Sequence, residues 1–104
     1  MARVHVVAVI TAKPGMRGEV LAAFQANVPA VHAEDGCIEY GATVDVADAG
    51  PIQTKFGDDT FVVVEKWETL DALKAHAAAP HMAAYAAKVK DMLASRVVHV
   101  LEDA

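Results

Sequence analysis

Two segments of this chain, residues 4–11 and 60–67, are apolar at consecutive positions instead of at every second position. Successive side chains of a strand point to opposite faces, so a strand with one wet face alternates between apolar and polar residues. These two segments must instead bury both faces. The fold must therefore cover two sides of a sheet, and this requirement constrains the chain more than any other feature.

The first half of the chain predicts a helix and a strand after the first apolar segment. Apolar residues between positions 20 and 31 recur at helical spacing. Pro29 is expected to kink or restart this helix, and Gly36 to stop it. Residues 38–46 alternate between apolar and polar side chains, which predicts a half-buried strand. A loop is expected from about residue 47 to residue 59.

The second half completes the pattern β-α-β-β-α-β. Thr69 is expected to cap a short helix, Pro80 to begin a second helical segment, and residues 95–101 to form the last strand. This order is typical of a ferredoxin-like α+β domain, here residues 1–104, with an antiparallel sheet and its helices on one face. The helices cannot cover the other face, so the sequence predicts self-association through it.

Charge and composition exclude several classes of partner. The 104 residues carry 14 acidic and 9 basic side chains, a formal net charge of −5, and no basic cluster. Nucleic acids and anionic membranes bind concentrated positive charge, so neither is an expected partner. No apolar run is long enough to span a membrane. Cys37 is the only cysteine, so no intramolecular disulfide can form, which fits a location in the reducing cytoplasm.

Three blocks of sequence resemble a known family. They are an acidic-Gly-Cys-x-x-Tyr turn at residues 34–40, a Glu-x-Trp strand end at residues 65–67, and a His-x-x-x-Pro-His segment at residues 76–81. Their order and spacing resemble the antibiotic-biosynthesis monooxygenase family, and its small quinol monooxygenases most. The resemblance implies a homodimeric α+β barrel. It also implies oxidation of a small aromatic quinol or polyphenol by dioxygen without any cofactor.

The residues needed for such chemistry are present. A deprotonated quinol reduces dioxygen directly, so the protein need only supply a dry aromatic pocket, a base and hydrogen bonds to the phenolate. Glu65 and Trp67 lie two residues apart and share one strand face. His76, whose unperturbed pKa suits a general base, follows in the next helix. We therefore predict His76, Trp67 and Glu65 as catalytic residues.

Tyr40, Tyr85 and His81 are the predicted substrate-binding residues. Each candidate also has a structural explanation: the aromatic rings could simply fill the core, and His81 could bond backbone groups where its helix starts. Glu65 could be the buried partner of a cation. No zinc or nucleotide motif is present, and Pro80 separates His76 from His81, so we predict no metal site.

Two other functions remain open from the sequence. Isomerases of small phosphorylated metabolites look similar around His76 and His81, but their substrate would require a basic side chain in the pocket. The chain could also be a dimer that binds a hydrophobic metabolite without turnover, a function that a solvent-facing His76 would favour. The basic residues that could serve an isomerase are Lys66, Lys74, Lys88, Lys90 and Arg96.

Overall fold

The chain, described over residues 2–104 by a computed structural model, forms a four-stranded antiparallel sheet with helices packed on one face. The sheet order is β2-β3-β1-β4, and the predicted ferredoxin-like α+β fold is confirmed. A short 3₁₀ turn, Lys90–Met92, leads into the last strand. The elements are β1 (Val4–Ala12), α1 (Arg17–His32), β2 (Cys37–Thr43), β3 (Thr60–Trp67), α2 (Leu70–Ala77), α3 (Pro80–Val89) and β4 (Leu93–Glu102).

Local sequence signals fixed several of these boundaries. The third strand occupies the predicted residues 60–67. The Thr69 hydroxyl accepts a hydrogen bond from the backbone N–H of Ala72 at 3.0 Å, the geometry of a helix N-cap. Pro80 is the first residue of α3, where its missing N–H leaves no helical bond unmade. Among the residues that the structure describes, no helix is long and apolar enough to cross a membrane.

Two expectations concerned α1. Of the kink or restart expected at Pro29, the restart does not occur, because the helix continues through Pro29 to His32. The stop expected at Gly36 was wrong, because the helix has already ended at His32, with Ala33 as its C-cap. Gly36 instead occupies the turn into β2 with a φ of +82°, and a Cβ built there would lie 2.6 Å from the Cβ of Ala72. The glycine is therefore required for the turn and for close approach to α2.

The second strand is shorter than its alternating pattern suggested. β2 ends at Thr43, and Val44 and Val46 are exposed in the loop that follows. In that loop the Asp45 carboxylate accepts backbone hydrogen bonds from Phe56 at 3.1 Å and Gly57 at 2.9 Å. These bonds hold the pKa of Asp45 below its ordinary value. These hydrogen bonds stabilise a loop conformation. The alternating residues after Thr43 therefore do not form a paired strand.

The core lies between the helices and one face of the sheet. Alternate residues of β1 and β3 point toward the helices and are buried, as their antiparallel register requires. Phe24 of α1 packs edge-on against Phe61 with ring centroids 5.8 Å apart. The buried apolar residues of the sheet on this side are Val4, Val6, Ala8, Ile10, Ala12, Tyr40, Phe61, Val63 and Trp67.

The opposite face of the sheet has no cover within the chain. Val64, Val97 and Leu101 on this face are exposed. The edge strand β4 is also exposed on its helix-facing side at Val98 and Val100, since the helices pack mainly over the other strands. An apolar surface of this kind marks an interaction site.

Gly36 and Gly18 form a matched pair for testing the turn into β2. Replacing Gly36 with alanine should lower the free energy of unfolding by about 2 kcal/mol, because a side chain at this φ is strained and meets Ala72. Gly18 lies in α1, and a Cβ added there would meet no heavy atom within 4 Å, so Gly18→Ala should raise stability by about 0.5–1 kcal/mol. Urea unfolding of both variants measures the two effects, and equal shifts would contradict this assignment.

Candidate functional site

Glu65 and Trp67 lie together at the end of β3, as their spacing predicted. Both side chains point toward the helices and are buried. The indole Nε1–H of Trp67 donates a hydrogen bond to Oε1 of Glu65 at 2.9 Å. The neighbouring strand β2 pairs Cys37 with Trp67 and Tyr40 with Glu65. Three of the predicted site residues therefore meet on one side of two adjacent strands.

Burial controls the protonation of Glu65. It raises the pKa of this carboxyl above its ordinary value, because ionisation in an apolar setting is unfavourable. The hydrogen bond from Trp67 opposes this rise by stabilising the carboxylate, and so do the nearby His76 and Arg96. Burial also raises the pKa of the Tyr40 hydroxyl, which keeps that phenol neutral.

His76 completes the cluster from α2. Its ring lies 4.7 Å from the Trp67 ring, tilted by 35°, and 5.4 Å from the Tyr40 ring, measured between centroids. The imidazole is buried, and its Nδ1 lies 2.9 Å from Oε2 of Glu34. A carboxylate in this position accepts a hydrogen bond from Nδ1–H. In the neutral ring, Nε2 then has a free lone pair.

The second ring nitrogen of His76 reaches the accessible surface. Among residues 2–104, no protein group forms a hydrogen bond with Nε2. In the same residues, every polar side-chain atom that is fully buried has a hydrogen-bond partner. Nε2 must therefore keep some accessible area. The same reasoning applies to the hydroxyl of Tyr40, whose ring stacks on Phe24 at 5.1 Å. An acceptor nitrogen and a phenol are thus both available at this cluster.

Glu34 is a site residue that the sequence analysis missed. It lies in the turn after α1, and the same Oε2 atom that contacts His76 also lies 3.2 Å from Nε2 of His81. Nδ1 of His81 lies 3.2 Å from Oδ1 of Asn27 on α1. His81 thus contacts side chains of the α1 region instead of backbone groups at the start of α3. The acidic position in the family-like turn was the available signal for Glu34.

Tyr85 and His81 line a shallow depression between α1 and α3. Its volume is about 240 Å³, and Asn27 and Lys88 form part of its wall. Tyr85 packs edge-on against Phe24 at 6.2 Å, and burial raises the pKa of its hydroxyl. The depression does not include His76, Trp67 or Glu65. Two predicted substrate-binding residues therefore lie at an opening beside the buried cluster, and Glu34 links one of them, His81, to His76.

Two of the basic side chains reach this region. Lys88 lines the depression, while Lys66 lies on the opposite face of the sheet, 3.8 Å from Glu39. Arg96 is exposed on the helix-facing side of β4, and its charge opposes the rise that burial causes in the pKa of Glu65 and of Tyr85. No group of three or more metal-ligating side chains converges within the part of the chain that the structure describes. Cys37 is half-buried, and burial raises the pKa of its thiol, so its reactive thiolate is disfavoured.

The raised pKa of Glu65 predicts a distinctive pH dependence of stability. The folded protein retains the Glu65 proton to a higher pH than the unfolded chain, so this residue favours folding in acid. That contribution is lost as the pH rises from the ordinary glutamate range through the raised pKa. Glu65→Gln, which can still accept from Trp67, should therefore gain stability relative to wild type between pH 4 and pH 8.

Urea unfolding at both pH values measures this gain. Glu19→Gln, at an exposed position of α1, is the matched control and should show no comparable gain. A Glu65→Gln stability difference that does not change with pH would show that Glu65 titrates alike in the folded and unfolded states.

Known proteins share both the sequence pattern and the fold of this chain. The family model described as antibiotic biosynthesis monooxygenase matches residues 3–88. The chain is 37% identical over 99 residues to the Escherichia coli K12 protein named "Probable quinol monooxygenase YgiN", with 93% of this chain and 94% of that relative covered. The solved structure of Rv0793 from Mycobacterium tuberculosis matches with a TM-score of 0.80 and 28% identity, over 98% of this chain and 95% of the other. PA3566 from Pseudomonas aeruginosa, at 23% identity and a TM-score of 0.82 over 100% and 96% of the two chains, shares the fold.

Proposed function

Because this chain belongs to the antibiotic biosynthesis monooxygenase family, we propose that it oxidises a small aromatic quinol or polyphenol with dioxygen and without a cofactor. The observation that carries the proposal is the environment of His76. Its ring lies against Trp67, its Nδ1 contacts a carboxylate, and its Nε2 is free to accept a proton. This is the arrangement that a general base requires.

The proposed reaction starts with proton transfer to Nε2 of His76. The O–H bond of a hydroquinone breaks, its electron pair stays on the phenolate oxygen, and an N–H bond forms on the imidazole. The phenolate then passes electrons to dioxygen. One oxygen atom enters the ring and the other leaves as water, so hydroquinone and dioxygen give hydroxyquinone and water. Hydroquinone loses four electrons in this reaction and dioxygen takes up all four, so no external reductant is needed.

The neighbouring side chains have complementary roles in this proposal. Trp67 and Tyr40 supply an aromatic wall, while Tyr85 and His81 contact the substrate at the opening. Burial favours the neutral form of Glu65, which can donate a hydrogen bond to a developing phenolate. A purely metabolite-binding role is less well supported, since His76 is buried beside Trp67 instead of facing solvent.

We also propose that the active form is a homodimer. Val64, Val97 and Leu101 expose a continuous apolar area on the sheet face that the helices leave open. A second copy packed there would complete the barrel and bury this area. Sedimentation of the wild type and of Val97→Asp tests the assembly. A wild type that sediments as a monomer at micromolar concentration would contradict the dimer.

Oxygen consumption tests the proposed activity. The purified, metal-stripped protein is incubated with simple hydroquinones, and uptake is corrected for autoxidation without protein. Labelled dioxygen should place one labelled atom in the product, whereas autoxidation yields unlabelled quinone and hydrogen peroxide. Protein-dependent labelling that survives a chelator supports the proposal. Absence of protein-dependent uptake across the panel would reject quinol oxidation in favour of the isomerase or binding functions.

A further inference from the structure

We propose that Glu34 and His81 form a proton relay that connects the buried base His76 to solvent. The relay rests on the proposed function, since it concerns how the base exchanges protons during turnover. A buried base that has taken a proton cannot act again until that proton moves. In the proposed reaction Nε2 of His76 faces the substrate, and Trp67 and Tyr40 pack against the ring, so Nδ1 is the ring atom that leads away from the substrate.

One carboxylate oxygen joins the two histidines. Oε2 of Glu34 lies 2.9 Å from Nδ1 of His76 and 3.2 Å from Nε2 of His81. The first contact is a hydrogen bond, and the second is a close ion-pair contact. Oε2 of Glu34 faces a histidine nitrogen on each side. Each oxygen–nitrogen contact is attractive only if the nitrogen carries a proton or the oxygen does. The His76–Glu34 hydrogen bond holds the Nδ1–H proton, and in the proposed relay the Glu34–His81 ion pair shares a second proton.

Exposure increases along this path. The side chains of His76, Glu34 and His81 are 6%, 17% and 29% exposed, respectively. His81 also lines the depression between α1 and α3, which is open to solvent. The chain of contacts therefore runs from the buried base to the surface, and it ends on a partly exposed imidazole that can exchange a proton with solvent.

Asn27 fixes the orientation of the outer histidine. Its Oδ1 lies 3.2 Å from Nδ1 of His81, while its Nδ2 donates to Sδ of Met82 at 3.3 Å. The amide oxygen therefore accepts from Nδ1–H of His81, and Nε2 of the same ring faces Glu34. This geometry leaves Nε2 of His81 as the relay atom.

The proposed transfer conserves protons. When Nε2 of His76 takes the proton of the quinol, the Nδ1–H bond breaks and that proton moves to Oε2 of Glu34. The proton that Glu34 shared with His81 passes from Nε2 of the partly exposed His81 to solvent water, so the Nε2–H bond breaks and a hydronium ion forms. The site resets when the Nε2–H of His76 protonates the oxygen that departs as water, Glu34 returns a proton to Nδ1, and His81 regains one from solvent.

Two variants test the relay by turnover of a hydroquinone. Glu34→Gln preserves size but cannot carry the proton, and turnover should fall by about 10-fold to 100-fold, as when the orienting partner of a functional histidine is lost. His81→Ala should also lower turnover, and added imidazole should restore it in proportion to concentration by replacing the missing carrier. Glu19→Gln removes an exposed carboxylate of the same helix region and should leave turnover unchanged.

Imidazole rescue separates a relay from a structural role, since a merely loosened site gains nothing from a soluble proton carrier. Autoxidation at each imidazole concentration is measured without protein and subtracted. If the wild type oxidises hydroquinones and Glu34→Gln is as fast, the relay is wrong while the proposed function stands. A slow His81→Ala protein that imidazole does not restore would likewise overturn the relay.

A measurement without turnover tests the same contacts if the wild type is inactive. In protein with ¹⁵N-labelled histidine, neutral His76 should carry its proton on Nδ1, and Glu34→Gln should shift its ring signals while Glu19→Gln does not. The opposite tautomer of His76 would reject the relay, whereas an inactive wild type with the expected tautomer would reject only the proposed reaction.

Discussion

Replacing His76 with glutamine should lower hydroquinone turnover by about 10²-fold to 10⁴-fold, the usual contribution of a general base. The amide of glutamine can still hydrogen-bond to Glu34 and fill much of the space beside Trp67, but it has no basic nitrogen to take the substrate proton. The fall should appear as a lower kcat, measured by oxygen consumption at saturating hydroquinone, with far-UV circular dichroism unchanged.

His5→Gln is the matched control for this substitution. His5 lies on the sheet face opposite to His76 and hydrogen-bonds the exposed Asp103 at 2.9 Å. Its sedimentation is measured first, since His5 lies on the proposed dimer face, and a variant that assembles like the wild type should retain wild-type turnover. A His76→Gln protein that keeps full activity would show that the substrate loses its proton to another group or to water, and His76 would then be only a core residue.

Replacing Trp67 with alanine should lower the free energy of unfolding by about 3–5 kcal/mol, the range for truncating a large buried aromatic side chain. Trp67 is fully buried, packs against the His76 ring and, within residues 2–104, supplies the only hydrogen bond made to the carboxyl group of Glu65. The truncation therefore leaves a cavity and a buried carboxyl without its donor. Because Trp67 is the only tryptophan of the chain, unfolding must be followed by circular dichroism instead of fluorescence.

Trp67→Phe separates the packing of this residue from its polar contact. The phenyl ring fills most of the cavity but lacks the N–H group, so this variant should be less destabilised than Trp67→Ala. All proteins are compared at one protein concentration, because dimerisation would make the midpoint of unfolding depend on concentration. A loss below about 1 kcal/mol in Trp67→Ala would contradict tight packing around the indole. If turnover also falls in Trp67→Phe, the indole contributes to catalysis beyond its stabilising role.

Much of the fold was predictable because its signals are local. Consecutive apolar residues located β3, the hydroxyl of Thr69 located the start of α2, and Pro80 located the start of α3. The errors occurred where tertiary contacts override such signals. α1 tolerates Pro29, and Asp45 holds the chain after β2 in a loop that its alternating residues did not predict.

The candidate site was only partly predictable for the same reason. Glu65 and Trp67 had to share a face, because the two-residue period of a strand leaves no alternative. Glu34 could not be paired with His76 from the sequence, since 42 positions separate them and nothing local sets their distance. His81 was separated from His76 by the break at Pro80, yet both rings reach the same carboxylate oxygen.

The sequence by itself determined the order of strands and helices, the face that carries Glu65 and Trp67, and the family to which the chain belongs. Backbone period, capping groups and motif spacing are properties of neighbouring residues, so they can be predicted from the sequence alone. Only the tertiary structure brought Glu34, His76 and His81 to a common oxygen atom and left β4 exposed on both faces. These features depend on how α1, α2 and α3 pack on the sheet, and packing geometry is fixed by the whole set of contacts instead of by any one segment.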